Sequence, residues 1–250
     1  RACLSDAKFF FETDKKRSLE SRRQQLESIT FHPKLGSLGE KTNRVCKLAC
    51  KMASVINADS AVMKRAAELS RCDLVSEMVL EFDELQGQIG TIYAALVGEA
   101  REVSQAIQGL YQPAGASDSV PSDVYGSLLA LADRLDTLAG LFAINQPPTG
   151  SKDPFALRRA AIGLLRLNEH PLLQFDLTQW INQAFDAQPV AASVDARARV
   201  IQFINDRERI RLTESGYPHD LVVAVQATNG LSTASTENRV KALAEFSEKP

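Results

Sequence analysis

Asp153-Pro154-Phe155-Ala156-Leu157-Arg158-Arg159-Ala160-Ala161-Ile162-Gly163-Leu164-Leu165-Arg166 carries the most information in the chain. The run before it, Pro147-Pro148-Thr149-Gly150-Ser151-Lys152, cannot be helix. Asp153 is then a candidate N-cap, and Pro154 falls at the first helical position, where its missing N–H is harmless. At a hundred degrees per residue, Leu157, Ala160, Ala161, Leu164 and Leu165 share one side, the predicted core face. Arg158, Arg159 and Arg166 fall on the other, with Phe155 and Ile162 among them. Three guanidinium groups around apolar side chains, with an N–H-rich helix start beside Ser151 and Lys152, suit a nucleic-acid backbone. The same pattern also describes a solvated face whose Phe155 and Ile162 lie under a neighbouring segment.

Helical spacing extends through most of the chain. Val45, Leu48, Ala49, Met52 and Ala53 follow it, as do Met63, Ala66, Ala67 and Leu69. Asp73 to Leu85 reads as one amphipathic stripe, with Asp73, Glu77 and Glu81 four apart on its polar side. Residues 128–144 are nearly all apolar and predict a central helix. Lys8 to Ser28 reads as one or two polar helices whose basic cluster, Lys15, Lys16, Arg17, Arg22 and Arg23, is a solvated face. Phe31 to Gly39, with Pro33, Gly36 and Gly39, reads as a loop, and Tyr111 to Ser122 as a connector. Residues 196–213 form a long helix, and no sustained period-two pattern predicts a sheet. The fold class is therefore all-α.

With 250 residues and 44% apolar content, the chain can build one large or two modest cores. A net charge of -2 gives no global pull toward nucleic acid, so any such binding rests on local patches. No apolar run reaches membrane-spanning length. The four cysteines, Cys3, Cys46, Cys50 and Cys72, form no CxxC pair. They lack the second cluster a structural zinc needs and read as buried free thiols of a reducing compartment. The start at Arg1 and the unclosed end Ser247-Glu248-Lys249-Pro250 read as a middle portion of a longer protein. Neither a nucleophile elbow nor a phosphate-cradling loop is present.

Five collinear stretches resemble the beta-subunit family of bacterial glycyl-tRNA synthetases. They are Leu4 to Phe10, Ile29 to Leu38, Cys72 to Val79 with Glu84-Leu85-Gln86-Gly87, Leu131 to Gly140, and Pro148 to Arg166. The likeness is dense from Leu4 to Leu167 and thinner beyond. It implies a leading helical segment at 1–28, a degenerate HD-like helical domain at 29–170, and a second, partial bundle at 171–250 that begins an anticodon-binding-type domain. HD domains hold a metal through histidines and carboxylates. The positions that resemble those ligands are Cys72, Asp73 and Asp133, and Cys72 stands where the paired histidine belongs. The chain has only His32, His170 and His219. Two carboxylates without imidazole make a poor transition-metal site, so the resemblance implies a scaffold with no catalytic residue and no metal. Asp73 and Asp133 are then capping or salt-bridging groups, or a weak magnesium contact at most. The His219-Asp220 dipeptide is read as a helix start.

For function, the resemblance implies a cytoplasmic subunit of glycine–tRNA ligase. It would position tRNA(Gly), while an alpha subunit activates glycine with ATP and magnesium inside a heterotetramer. The fragment itself would bind no cofactor. Lys152, Arg158, Arg159, Arg166, Arg199 and Arg207 are the candidate RNA contacts. The alternatives are an active HD-type phosphohydrolase and a helical adaptor that only docks the alpha subunit.

Overall fold

The computed structural model describes residues 2–115, 118–228, 231 and 233–247. Among these the chain is all-α apart from one small hairpin, and it divides into two compact units. The first comprises residues 1–113 and 117–133, the second 114–116 and 134–250.

In the first unit, α1 (Ala2–Asp14) is followed by a 3-10 segment (Glu20–Ser28) and the antiparallel pair β1 (Thr30–His32) and β2 (Gly36–Ser37). The stretch read as a loop thus contains a hairpin. Gly36 supplies the left-handed backbone of its turn (φ +91°). Ser37 then caps α2 (Leu38–Val55) through a capping box: its Oγ accepts from Glu40 N at 3.0 Å, and Glu40 Oε2 accepts from Ser37 N at 2.7 Å. Val45, Leu48, Ala49, Met52 and Ala53 of α2 pack against α3 (Ser60–Leu69), whose Met63, Ala66, Ala67 and Leu69 are all but inaccessible.

The predicted single stripe from Asp73 to Leu85 is three short pieces. They are a 3-10 turn (Cys72–Val75), α4 (Glu77–Glu81), capped by Ser76 Oγ, and a second 3-10 turn (Asp83–Leu85). α5 (Gln88–Leu96) and α6 (Arg101–Gly109) follow and pack on each other. The two backbones touch where α6 meets α7 (Val124–Ala143). A Cβ on Gly109 would stand 2.5 Å from Gly126 Cα. Leu128 to Ala132 are buried without a break, as the apolar run required. Of the connector read from 111 to 122, residues 116 and 117 lie outside the described residues.

One arginine of the basic cluster is not solvated. Arg22 is 2% exposed and pairs with the equally buried Asp14 at 2.8 Å. Asp14 also accepts from Glu77 N (3.1 Å), Met78 N (3.0 Å) and Tyr93 Oη (2.9 Å). One carboxylate thereby joins α1, the first 3-10 segment, α4 and α5. A buried pair of this kind is stable only because its remaining lone pairs find donors.

In the second unit, α8 (Leu157–Asn168), α9 (Leu177–Asp186) and α10 (Ala196–Glu214) precede α11 (His219–Thr228) and α12 (Thr233–Ser247). Leu157, Ala161, Leu164 and Leu165 are fully buried, so the core face of α8 is the one its spacing predicts. α10 packs on α8 and α9, and Leu212, Val222, Val225 and Val240 join α10, α11 and α12 in one cluster. His219 opens α11 as expected, with Asp220 in its first turn.

Candidate nucleic-acid interface

The arginine helix begins later than its sequence suggests. Ala156 takes a left-handed conformation (φ +53°), and Leu157 is the first helical residue. Asp153 still supplies the cap from a distance. Its carboxylate accepts from Leu157 N at 2.8 Å and Arg158 N at 2.9 Å, so two of the helix's free amides are already satisfied.

This wrap orients the basic side chains. Arg158 Nη2 donates to Gly150 O at 2.6 Å, folding back over the turn in which Thr149 and Lys152 pair their backbones. Lys152 is exposed on that turn. Arg159 is exposed and donates to Ala114 O at 3.4 Å, while half-buried Arg166 donates to Gly115 O at 3.2 Å. Two adjacent carbonyls therefore orient two guanidinium groups seven residues apart on one helix face.

Arg166 also lines a cavity of about 370 Å³ between α8 and α10, with Ile162 and Glu169 on one wall and Arg207, Ile210 and Arg211 on the other. Arg207 lies over the Phe203 ring, 5.7 Å from its centroid. Arg211 bridges Glu169 at 3.0 Å and Glu237 at 3.1 Å. Burial pushes the Glu169 carboxyl above its ordinary range, against the pull of Arg211. Behind this lining, Glu208 is 1% exposed and accepts from Gln226 Nε2 at 3.1 Å; burial raises it too. Arg199 is elsewhere on α10, paired with Asp195 at 2.9 Å and Asn145 Oδ1 at 2.8 Å. Of the six basic residues picked from sequence, Arg166 and Arg207 share the cavity, Lys152 and Arg158 share the turn, and Arg159 and Arg199 stand apart from both. Buried Glu208 was missed, having been read as a balancing charge on a solvated face. The signal available was the placing of Glu208 four residues after Ile204 and four before Leu212, on the apolar stripe of α10.

The second constellation taken from sequence is Cys72, Asp73 and Asp133, all in the first unit. Cys72 is buried with its Sγ 3.5 Å from Glu68 O, and burial pushes its thiol up to about 12. Asp73, placed on a polar face by its spacing, is fully buried. Its Oδ2 accepts from Gly87 N at 2.6 Å and Gly90 N at 3.1 Å, capping α5 from outside the helix. Desolvation raises its pKa, and those two amide bonds oppose the rise. Asp133 pairs with Lys41 at 3.0 Å and with Arg71. Lys41 lies 4.7 Å from the centroid of the Phe31 ring. The two carboxylates therefore serve separate partners. Two of the three histidines spend a ring nitrogen locally, His32 Nδ1 accepting from Lys34 N and His170 Nδ1 from Leu172 N. Among the described residues, no three His, Cys, Asp or Glu side chains gather as metal ligands would.

The thiols also differ from their predicted burial. Cys72 is buried, but Cys46 and Cys50 are half-exposed. The side chain of Cys3 lies outside the described residues.

The profile of the family described as glycyl-tRNA synthetase beta subunit matches residues 1–227. The chain belongs to that family. It is 44% identical over 246 residues to the glycine–tRNA ligase beta subunit of Hahella chejuensis, covering 98% of this chain and 36% of the relative. The subunit from Marinobacter nauticus is 44% identical over 253 residues, covering 100% and 36%. That from Acinetobacter baumannii is 43% identical over 252 residues, covering 100% and 37%. The chain thus spans little more than a third of the length of the curated relatives it matches. No helix among the described residues is long and apolar enough to cross a membrane.

Proposed function

We propose that this chain is a tRNA-positioning part of a glycine–tRNA ligase beta subunit, acting in the cytoplasm and gripping the sugar–phosphate backbone of tRNA(Gly) through α8 and α10. The observation that carries the reading is the cavity where Arg166 and Arg207 meet, with Arg159 exposed on the adjoining helix face. Guanidinium groups fixed by carbonyls and an aromatic ring offer phosphate oxygens a preformed fork. Contacts of this type set register and orientation rather than reading sequence. Base recognition then falls to the anticodon-binding-type region that begins within 171–250.

The first unit, which includes residues 29–113 and 117–133 of the HD-like domain read at 29–170, acts as a scaffold. Asp73 is committed to the amides of α5 and Asp133 to two cations, an arrangement that does not suit a hydrolase metal. Nothing in this geometry favours the phosphohydrolase alternative. On this reading ATP and magnesium serve the glycine-activating alpha subunit of a heterotetramer, as the resemblance implies.

The test is the salt dependence of tRNA binding by the intact two-subunit enzyme. Replacing Arg159, Arg166 and Arg207 together with Ala removes up to three phosphate contacts. The slope of log K against log salt then falls by about 2–3. Circular dichroism checks that the helices persist. Unchanged affinity and slope in the triple variant would refute the assignment.

A further inference from the structure

A cavity of about 240 Å³ opens between the 3-10 segment Glu20–Ser28, the first turns of α2 and the end of α3. Its buried lining is Leu26, Gly39 and Thr42, and Thr42 is only 6% exposed. Thr42 Oγ1 finds no hydrogen-bond partner among the described residues. A buried hydroxyl left in that state is costly unless a further group completes it. The Glu27 carboxylate lies directly over Gly39, where a Cβ would collide with it. Ser37 Oγ donates to Glu27 Oε2 at 2.7 Å and so fixes the carboxylate above the start of α2.

We propose that this cavity binds a small primary alkylammonium ligand, its ammonium group held by Glu27 and Thr42. Arg23 is the single cation of the lining, and it already pairs with Glu20 at 2.8 Å and Glu68 at 3.2 Å. Two carboxylates answer its charge, so the cavity does not attract an anion. What is left is a set of acceptors: the Glu27 carboxylate, the Thr42 hydroxyl and the amide oxygen of Asn43. An ammonium carries three N–H donors and no acceptor, which complements that set. A divalent metal does not suit it. Among the described residues no three His, Cys, Asp or Glu side chains gather as ligands, and calcium takes about six to eight oxygens. Leu26 offers the alkyl stem an apolar wall. The volume lies below the roughly 300–1,000 Å³ of sites for drug-sized ligands, so the stem must be short.

Binding gives the Thr42 oxygen a donor and gives Glu27 a counter-charge. Glu27 belongs to the 3-10 segment and Thr42 to α2, so the ligand joins the two elements and raises the melting temperature. The site shares no residue with the arginine cavity of α8 and α10.

The experiment titrates the full-length beta subunit with putrescine at physiological salt, followed by isothermal calorimetry and a thermal melt. The wild type should take up one saturable equivalent and melt at a higher temperature. Thr42→Val keeps the shape and loses no hydrogen bond of the folded chain, yet should weaken that equivalent about tenfold. Glu27→Gln, still an acceptor for Ser37, should weaken it by about as much or more. Circular dichroism checks that both variants fold. Tetramethylammonium, a cation without an N–H, should not compete. The Arg159→Ala/Arg166→Ala/Arg207→Ala variant should bind putrescine as the wild type does, which separates this site from the tRNA reading. The proposal is overturned if the wild type shows no saturable uptake, if either variant at Thr42 or Glu27 retains the full affinity, or if tetramethylammonium competes equally.

Discussion

Replacing Asp73 with Ala should destabilise the first unit by about 3 kcal/mol, whereas Asp73→Asn should cost about 1 kcal/mol. Oδ2 of Asp73 is the acceptor for two amides, Gly87 N at 2.6 Å and Gly90 N at 3.1 Å, and all three residues are buried. Each hydrogen bond to a charged group contributes about 1.5–3 kcal/mol, and a buried donor stripped of its acceptor costs about 1–3 kcal/mol. Against this, alanine relieves the desolvation that raises the Asp73 pKa, so the net falls near the lower end of the combined range. Asparagine keeps an acceptor oxygen aimed at both amides. Its Nδ2 would take the place of Oδ1, which has no hydrogen-bond partner to lose. Urea unfolding followed by far-ultraviolet circular dichroism gives the global cost. Amide exchange gives the local one, with protection at Gly87 and Gly90 falling about 100-fold in Asp73→Ala. Unchanged protection in the alanine variant would refute the capping role. Equal damage from asparagine and alanine would shift the weight from the acceptor to the charge.

Gly109→Ala should cost about 2–3 kcal/mol. The new Cβ would meet the backbone of Gly126 at 2.5 Å, where no side-chain rotation can relieve it, and a thermal melt shows the loss. Glu208→Gln should change stability in a pH-dependent way. Burial raises the native carboxyl above its ordinary value near 4.5, so the stability it contributes is full below that value and lost as pH rises through the raised native pKa. Glutamine, still an acceptor for Gln226, escapes that loss. The stability of the variant relative to wild type should therefore improve as pH rises above about 4.5 and level off once pH passes the raised native value, read from the fluorescence of Trp180, the single tryptophan of the chain. A flat difference would contradict the burial account.

The helices whose apolar spacing is strong were legible because periodicity is a local property. Leu157, Ala161, Leu164 and Leu165 are buried as predicted, and so are Val45, Leu48, Ala49, Met52 and Ala53. Asp73 was misplaced because its exposure depends on where the chain breaks. Ser76 caps a new helix at Glu77, which frees the preceding turn to rotate Asp73 inward toward Gly87 and Gly90. Arg22 was misread for a related reason. Its partner Asp14 is completed by amides of Glu77 and Met78, 63 and 64 residues away from it, which no window of sequence displays. Within the basic patch, residue types and helix face were readable. The turn that commits Arg158 to Gly150 follows from the left-handed Ala156, and an alanine gives no warning of that conformation.

The pairing of Asp133 with Lys41 and Arg71 has a consequence for redesign. Grafting histidines beside this carboxylate would not create an ion site, because two resident ammonium and guanidinium charges already occupy the electrostatic niche a dication would fill. Building a metal-dependent hydrolase site here would mean discharging both cations as well as adding ligands.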